Sequence, residues 1–275
     1  MIDFPNCKIN LGLYIENKRS DGFHNIKTIF YPIDLSDVLE IIESDSTEYS
    51  FTMSGIALNS SVQSNLCVKA YELLKNDFNL PAVKMHLHKN IPHGAGLGGG
   101  SADAAFTIKL LNKTFNLNLS ISQMHEYAAK LGSDCPFFIE NRTVIAKEKG
   151  DIFNPIQISL ENYYILIVKP DVYVSTPEAY QWIKPRNAQV DIETIIKNPI
   201  ESWKDLLYND FEKSVFSKYP IIASIKDIFY KNGAIYAAMS GSGAAVFGIF
   251  HDAPPTLPLP DHCFAWGYKV GKDRI

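Results

Sequence analysis

KMHLHKNIPHGAGLGGGSADAAFTIKLLN, residues 84–112, sets five glycines between an alternating segment and an apolar, helix-like one. Val83, Met85 and Leu87 fall on alternate positions, the period-two pattern of a half-buried strand, and stop just short of the glycines. Beyond them Ala102, Ala105, Phe106, Lys109 and Leu110 recur at helical spacing, with Ser101 at the expected N-cap. Strand, glycine loop and helix N-terminus together gather free backbone N–H groups and the positive end of a helix dipole where no Cβ blocks close approach, an arrangement that binds anions. A plain tight turn is the competing reading of the glycines taken alone.

Two common phosphate loops fail against this stretch. Gly94, Gly96 and Gly99 satisfy G-x-G-x-x-G, but a dinucleotide fold needs an acidic residue about twenty positions on to hold the ribose. No Asp or Glu lies between Asp103 and Glu126. The pattern G-x-x-x-x-G-K-[ST] can be laid on Gly94 to Ser101, yet its lysine position is Gly100. If the loop holds a triphosphate, the cation that stabilises phosphoryl transfer comes from elsewhere in the chain or from a metal.

The 275 residues, 46% apolar and 20% charged, suit a soluble globular protein of one large domain or two lobes. A net charge of −4 argues against a nucleic acid or an anionic membrane as partner and for a small-molecule substrate. Cys7, Cys67, Cys135 and Cys263 form no C-x-x-C pair and read as free thiols in a reducing compartment. Asp3, Pro5, Lys8 and Asn10 interrupt any apolar leader, and no run reaches membrane-spanning length, so a cytoplasmic location is expected.

Along the chain, residues 7–15 alternate, RSDGFH (19–24) supplies a D-G turn, and residues 25–35 and 37–42 read as further strands of an antiparallel sheet. Residues 64–79 read as a helix ended by Pro81, and 121–132 as a helix with a Ser120/Gln123 capping box and a Gly132 C-cap. Residues 143–150 and 163–170 are strands, 202–219 a helix interrupted by Pro220, and 220–233 a helix closed by Gly233. A small-residue segment with a second glycine turn follows at 234–250. This order predicts an α+β, two-lobed fold divided near Pro155, into 1–155 and 156–275.

Phosphoryl transfer to an alcohol needs a carboxylate to orient or deprotonate the hydroxyl and a cation to offset developing charge. Lys8 and Asn10 share the polar face of the first strand, where a lysine is ordinarily just solvated. Asp134 precedes Cys135-Pro136, where an Asp is ordinarily an N-cap. The pattern alone leaves both readings open. His86 and His88, with His93 near, form an H-x-H pair whose simpler reading is a solvated strand face.

CKINLGLYI (7–15) with RSDGFH, PHGAGLGGGSADAA (92–105), LGSDCPFF (131–138), NDFE (209–212) and MSGSGAAVFGIF (239–250) occur in the order found in the GHMP kinases, which the chain resembles over nearly its whole length. The resemblance implies a two-lobed fold, an N-terminal lobe like domain 2 of ribosomal protein S5 and a ferredoxin-like C-terminal lobe. It implies an ATP-dependent, Mg²⁺-requiring kinase of a cytidine-diphosphate-linked alcohol, acting as a monomer or homodimer. Residue by residue, it makes Asp134 the catalytic base or aligning carboxylate and Lys8 the charge-stabilising cation. Pro92, His93, Gly94, Ala95, Gly96, Leu97, Gly98, Gly99, Gly100, Ser101 and Ala102 would wrap the ATP phosphates. Phe23 and His24 would take the cytosine, Tyr180 would supply a second stacking face, and Asn10 would hold the substrate. Ser240, Gly241, Ser242 and Gly243 would close on the first glycine loop. No metal ligand is assigned. Ser101-Ala102 stands where many family members have two serines, so a second hydroxyl is absent here.

Overall fold

The computed structural model describes residues 1–57, 61–183 and 190–271. It contains two compact units, each discontinuous in sequence: residues 1–8, 32–93 and 98–142 in one, and 9–31, 94–97 and 143–275 in the other. A single cut near residue 155 does not reproduce them, because β2 (Asn6–Lys18) and β3 (His24–Ser36), each of 13 residues, run through both. Within the described residues, no helix is long and apolar enough to cross a membrane.

The first unit is built on a sheet of order β1-β4-β6-β5, from β1 (Ile2–Asp3), β4 (Val38–Glu43), β5 (Ser50–Gly55) and β6 (Val83–Lys89). The strand expected at 37–42 lies here as β4, in a different sheet from β2 and β3, and β5 runs parallel to β6, with α1 (Leu66–Phe78) in the connection. α1 ends at Asn79 in the left-handed conformation, two residues before Pro81. In β6, Val83, Met85, Leu87 and Lys89 are buried, so the inward series ends on a lysine. α2 (Gly99–Thr114) is the central helix, and its small residues Ala102, Ala104 and Ala105 are fully buried. α3 (Ile121–Ala129) opens with the expected capping box, Ser120 and Gln123 each satisfying the other's backbone. It ends at Lys130, two residues earlier than the predicted Gly132, and a short α4 (Phe137–Glu140) follows.

The second unit holds a four-stranded sheet of order β10-β11-β9-β12, all antiparallel. Its strands are β9 (Tyr164–Lys169), β10 (Tyr236–Met239), β11 (Val246–Phe250) and β12 (Phe264–Lys269). A further sheet takes the order β2-β3-β7-β8, with β7 (Val144–Lys147) and β8 (Ile152–Pro155). α5 (Thr176–Gln181) and α6 (Ile192–Ile195) precede the segment 202–219, which is not one helix. It forms α7 (Trp203–Leu206) and α8 (Phe211–Lys218), because the chain between them hydrogen-bonds to β2 instead of to itself: Leu13 N–H donates to Tyr208 O, and Leu13 O accepts from Asp210 N–H. α9 (Pro220–Lys231) starts on proline and puts Ile222, Ile225 and Phe229 on one buried stripe. Gly233, at φ +91°, follows its C-cap as expected.

Candidate active site

β2 brings Lys8 into the first unit, 3% exposed, against the expectation for a solvated strand face. Its Nζ lies 3.7 Å from Oδ2 of Asp134, which sits in the turn before α4 with 34% of its side chain exposed. Burial pushes the Lys8 ammonium below its usual range, and Asp134 opposes that shift. The pair thus combines a dry cation with a carboxylate that solvent or substrate can reach.

The glycine loop reaches this pair through Gly98. A Cβ there would stand 3.3 Å from Lys8 Cε and 3.0 Å from Phe138, and the residue has φ +73°. Gly98 is also the N-cap of α2, without any side-chain cap. The helix therefore begins three residues before the position the sequence suggested, and Ser101 is its third residue, not its cap. The physical reason is that left-handed Gly98 starts the turn itself, so the amides of Gly99, Gly100 and Ser101 precede the first intrahelical bond, Ala102 N–H to Gly98 O at 2.9 Å. At Gly100 a Cβ would meet only Leu66, at 3.9 Å, so open space faces that residue. Free amides beside open space fit an anionic phosphate chain. Asp103 lies in the second turn of α2 and turns away to Lys89.

In the second unit, residues 94–97 of the same loop meet the second glycine loop directly. Ala244 and Ala245 donate to the carbonyls of Gly94 and Ala95, and buried Ser240 donates through Oγ to Gly96 O at 2.9 Å. A Cβ on Gly96 would fall 2.0 Å from Ser240 O. Ser242 Oγ lies 2.8 Å from Thr176 Oγ1. The expected meeting of the loops is thus observed, and the residues that hold it were quoted in NDFE without a role. Asn209 donates to the carbonyls of Met239 and Gly241, each at 2.8 Å, and Glu212 accepts from Met239 N–H. Asn10 is 1% exposed and donates to Thr28 Oγ1 at 2.9 Å, while Ser240 Oγ approaches its Oδ1 at 3.4 Å.

The hairpin after β2 carries Phe23 and His24. His24 stacks on Tyr180, ring centroids 4.9 Å apart and 18° between planes, and Tyr180 meets Phe211 edge-on. Tyr180 therefore backs His24, and no gap of a base's thickness separates them. Burial, with Lys18 nearby, pushes the His24 imidazole below its usual range and favours the neutral ring. Phe23 is 60% exposed, with Lys149 Nζ 5.6 Å from its ring centre. His86 is hydrogen-bonded to Thr52 and Ser54, and His88 to Ser54.

Comparison with known proteins now bears on this arrangement. The family model for the GHMP kinases N terminal domain matches residues 65–142 and that for GHMP kinases C terminal residues 191–256. A Bacteroides fragilis protein named 4-diphosphocytidyl-2-C-methyl-D-erythritol kinase is 53% identical over 252 residues, 91% of this chain and 92% of that protein. The chain belongs to the GHMP kinases. Members of this family are small-molecule kinases that use ATP as phosphate donor. A Bacteroides thetaiotaomicron protein of the same name is 51% identical over 272 residues, 98% and 97% of the two chains. A crystal structure of 4-(cytidine 5'-diphospho)-2C-methyl-D-erythritol kinase superposes on this GHMP kinase with a TM-score of 0.80 at 26% identity, covering 98% of this chain and all of that one. The Methanococcus jannaschii mevalonate kinase, at 19% identity and a TM-score of 0.67 over 91% and 90% of the chains, shares the fold.

Proposed function

We propose that this GHMP kinase transfers the γ-phosphoryl group of ATP to the 2-hydroxyl of 4-diphosphocytidyl-2-C-methyl-D-erythritol, giving the 2-phosphate and ADP, a step of non-mevalonate isoprenoid precursor synthesis. The observation that carries the chemistry is the buried Lys8 ammonium 3.7 Å from the accessible Asp134 carboxylate, against Gly98 at the uncapped start of α2. The acceptor is supported by the name shared by relatives about half identical over nearly the whole chain.

In this reading Asp134 aligns the acceptor hydroxyl and takes its proton as the oxygen attacks the γ-phosphorus and the bond to the β-bridging oxygen breaks. Lys8 stabilises the charge that develops on the transferring group. The amides from Pro92 to Ala102 hold the phosphates in place of the missing loop lysine. Residues 240–243 support residues 94–97 of that loop, Asn10 orients the acceptor, and His24 with Phe23 and Tyr180 receives its cytosine. Within the described residues no group of three or more His, Cys, Asp or Glu side chains is disposed to hold a metal. Mg²⁺ would accompany ATP on its phosphates and offset their charge. The family models fall on either side of residue 155, which supports an ATP-binding half at 1–155 and a C-terminal half at 156–275. We place the enzyme in the cytoplasm, as a monomer or homodimer working on small molecules without nucleic acid or membrane; its net charge of −4 and free thiols support this.

The test is ADP release with Mg²⁺-ATP and 4-diphosphocytidyl-2-C-methyl-D-erythritol, set beside homoserine, mevalonate and galactose. Turnover confined to the cytidylyl substrate is expected. Equal or better turnover of a base-free acceptor would refute the assignment.

A further inference from the structure

Apart from Lys8 and Asp134, the first unit buries a second charged cluster. Lys89 Nζ donates to Asp103 Oδ2 at 2.7 Å and to Asp37 Oδ2. Asp37, fully buried between β3 and β4, accepts on Oδ1 the backbone N–H of Asn90 at 2.6 Å and of Ile91 at 2.8 Å. Asp103, 3% exposed on α2, has no hydrogen-bond partner for its Oδ1.

The placement of these groups along the chain is what matters. Lys89, Asn90 and Ile91 lead into the glycine loop, and Asp103 lies in the second turn of the helix that leaves it. One ammonium and one carboxylate therefore tie together the two ends of the loop. Stability alone gives little reason for such a cluster, since buried ion pairs are commonly replaceable by apolar groups without loss. Here two carboxylates share a single cation and one oxygen stays unsatisfied, which is a poor arrangement for a purely structural element.

We propose that Asp37, Lys89 and Asp103 form a clamp that fixes the separation of the two ends of the glycine loop, making Lys89 and Asp103 positioning residues for the phosphates of ATP. The inference rests on reading the loop as the ATP-binding element. It assigns a role in nucleotide affinity to residues remote from the reacting atoms. Burial pushes Asp103 up to about 8, with Asp37 adding to the shift and Lys89 opposing it. The other titratable group beside it is the buried Cys67 thiol of α1, itself pushed up by burial. Ionising Asp103 leaves the cluster with an uncompensated negative charge behind a site for polyphosphate, so the clamp weakens as pH rises through that range.

Calorimetric titration with Mg²⁺-ATP, without acceptor, tests this on the full chain, alongside thermal midpoints and the KM of each substrate. Asp103→Leu is expected to weaken ATP binding about tenfold, equivalent to 1.4 kcal/mol, with the acceptor KM unchanged. Asp103→Asn, which keeps an acceptor for Lys89, is expected to restore affinity and to abolish a weakening of ATP binding above pH 8 seen in the unsubstituted enzyme. Unaltered ATP binding in Asp103→Leu, or an effect on the thermal midpoint alone, would overturn the proposal. If Asp103→Leu does not fold, the pH profiles decide: parallel profiles for Asp103→Asn and the unsubstituted enzyme overturn it. An unsubstituted enzyme that binds no ATP refutes the kinase reading and the clamp together, whereas turnover with ATP but an inert Asp103 refutes only the clamp.

Discussion

Lys8 stands where strand periodicity predicts a solvated side chain, yet it is buried and paired with Asp134. A buried ammonium costs several kcal/mol of hydration unless a carboxylate or a bound anion offsets it. Asp134 supplies part of that offset while remaining open enough to meet an alcohol. Replacing Asp134 by Asn keeps the shape and removes the proton acceptor, so kcat is expected to fall about 10²- to 10⁴-fold, with the thermal midpoint nearly unmoved; steady-state kinetics and a melting curve check this together. Tyr180 acts differently, because it supports the His24 ring from behind. Tyr180→Ala should raise the acceptor KM up to about tenfold, the scale of one aromatic pair, and leave the ATP KM alone; an equal change in both would point to general loosening. Neither Lys8 nor Asp134 identifies itself by residue type, and only the ordered motifs gave them roles. Lys89 was legible in principle: it continues the inward series Val83, Met85, Leu87, and a lysine at a core position of a strand requires a buried partner.

Among the elements, the strand and the helix that flank the glycine loop are legible in the sequence, and the phase of the helix start is not. Alternation and helical spacing located β6 and α2, but Ser101 resembles an N-cap and the actual cap is left-handed Gly98, whose φ no sequence pattern displays. Similarly, 202–219 has helical spacing throughout, and the break in it arises from pairing with distant β2, which local reading cannot detect. The capping box of α3 and the proline start of α9 were legible because their causes are local. The glycines themselves now divide by function. Gly96→Ala puts a Cβ 2.0 Å from the Ser240 carbonyl at φ +73°. The backbone conformation alone costs about 1–2 kcal/mol, so this variant should melt roughly 5 °C lower or more and lose the contact between the two loops. Gly100→Ala meets only Leu66 at 3.9 Å, within a helix. It should be as stable or up to about 1 kcal/mol more stable, yet bind ATP more weakly, because the added methyl occupies space left for phosphate. Calorimetry on the pair separates the two roles, and matched losses of stability and affinity in Gly100→Ala would contradict this division.

Across the whole molecule, a mevalonate kinase at 19% identity and a homoserine kinase at 13%, with TM-scores of 0.67 and 0.63, share the fold, so the fold does not select the acceptor. Under the proposed function, selection falls to side chains such as the His24–Tyr180 pair, whereas stability is spread over both units and depends on what each buries. Asp103 gives that dependence an unusual sign. Burial pushes its carboxyl from the ordinary 3.8 up to about 8 in the folded chain. Between those values the folded state holds a proton that the unfolded state has released, so this group's contribution is complete below about pH 4 and is lost progressively as pH rises to 8. The loss is at most about 1.4 kcal/mol per pH unit. Paired surface carboxylates such as Asp191 and Glu193, held below their usual range by Lys27 and Lys147, act in the opposite direction, but only near and below pH 4. Urea denaturation of the unsubstituted protein and of Asp103→Asn between pH 5 and 9 isolates the buried group, since every other titration is common to both. The stability difference should move steadily in favour of Asp103→Asn up to pH 8 and then level off. A difference that stays constant across the range would mean that Asp103 is ionised throughout, with Lys89 fully compensating it.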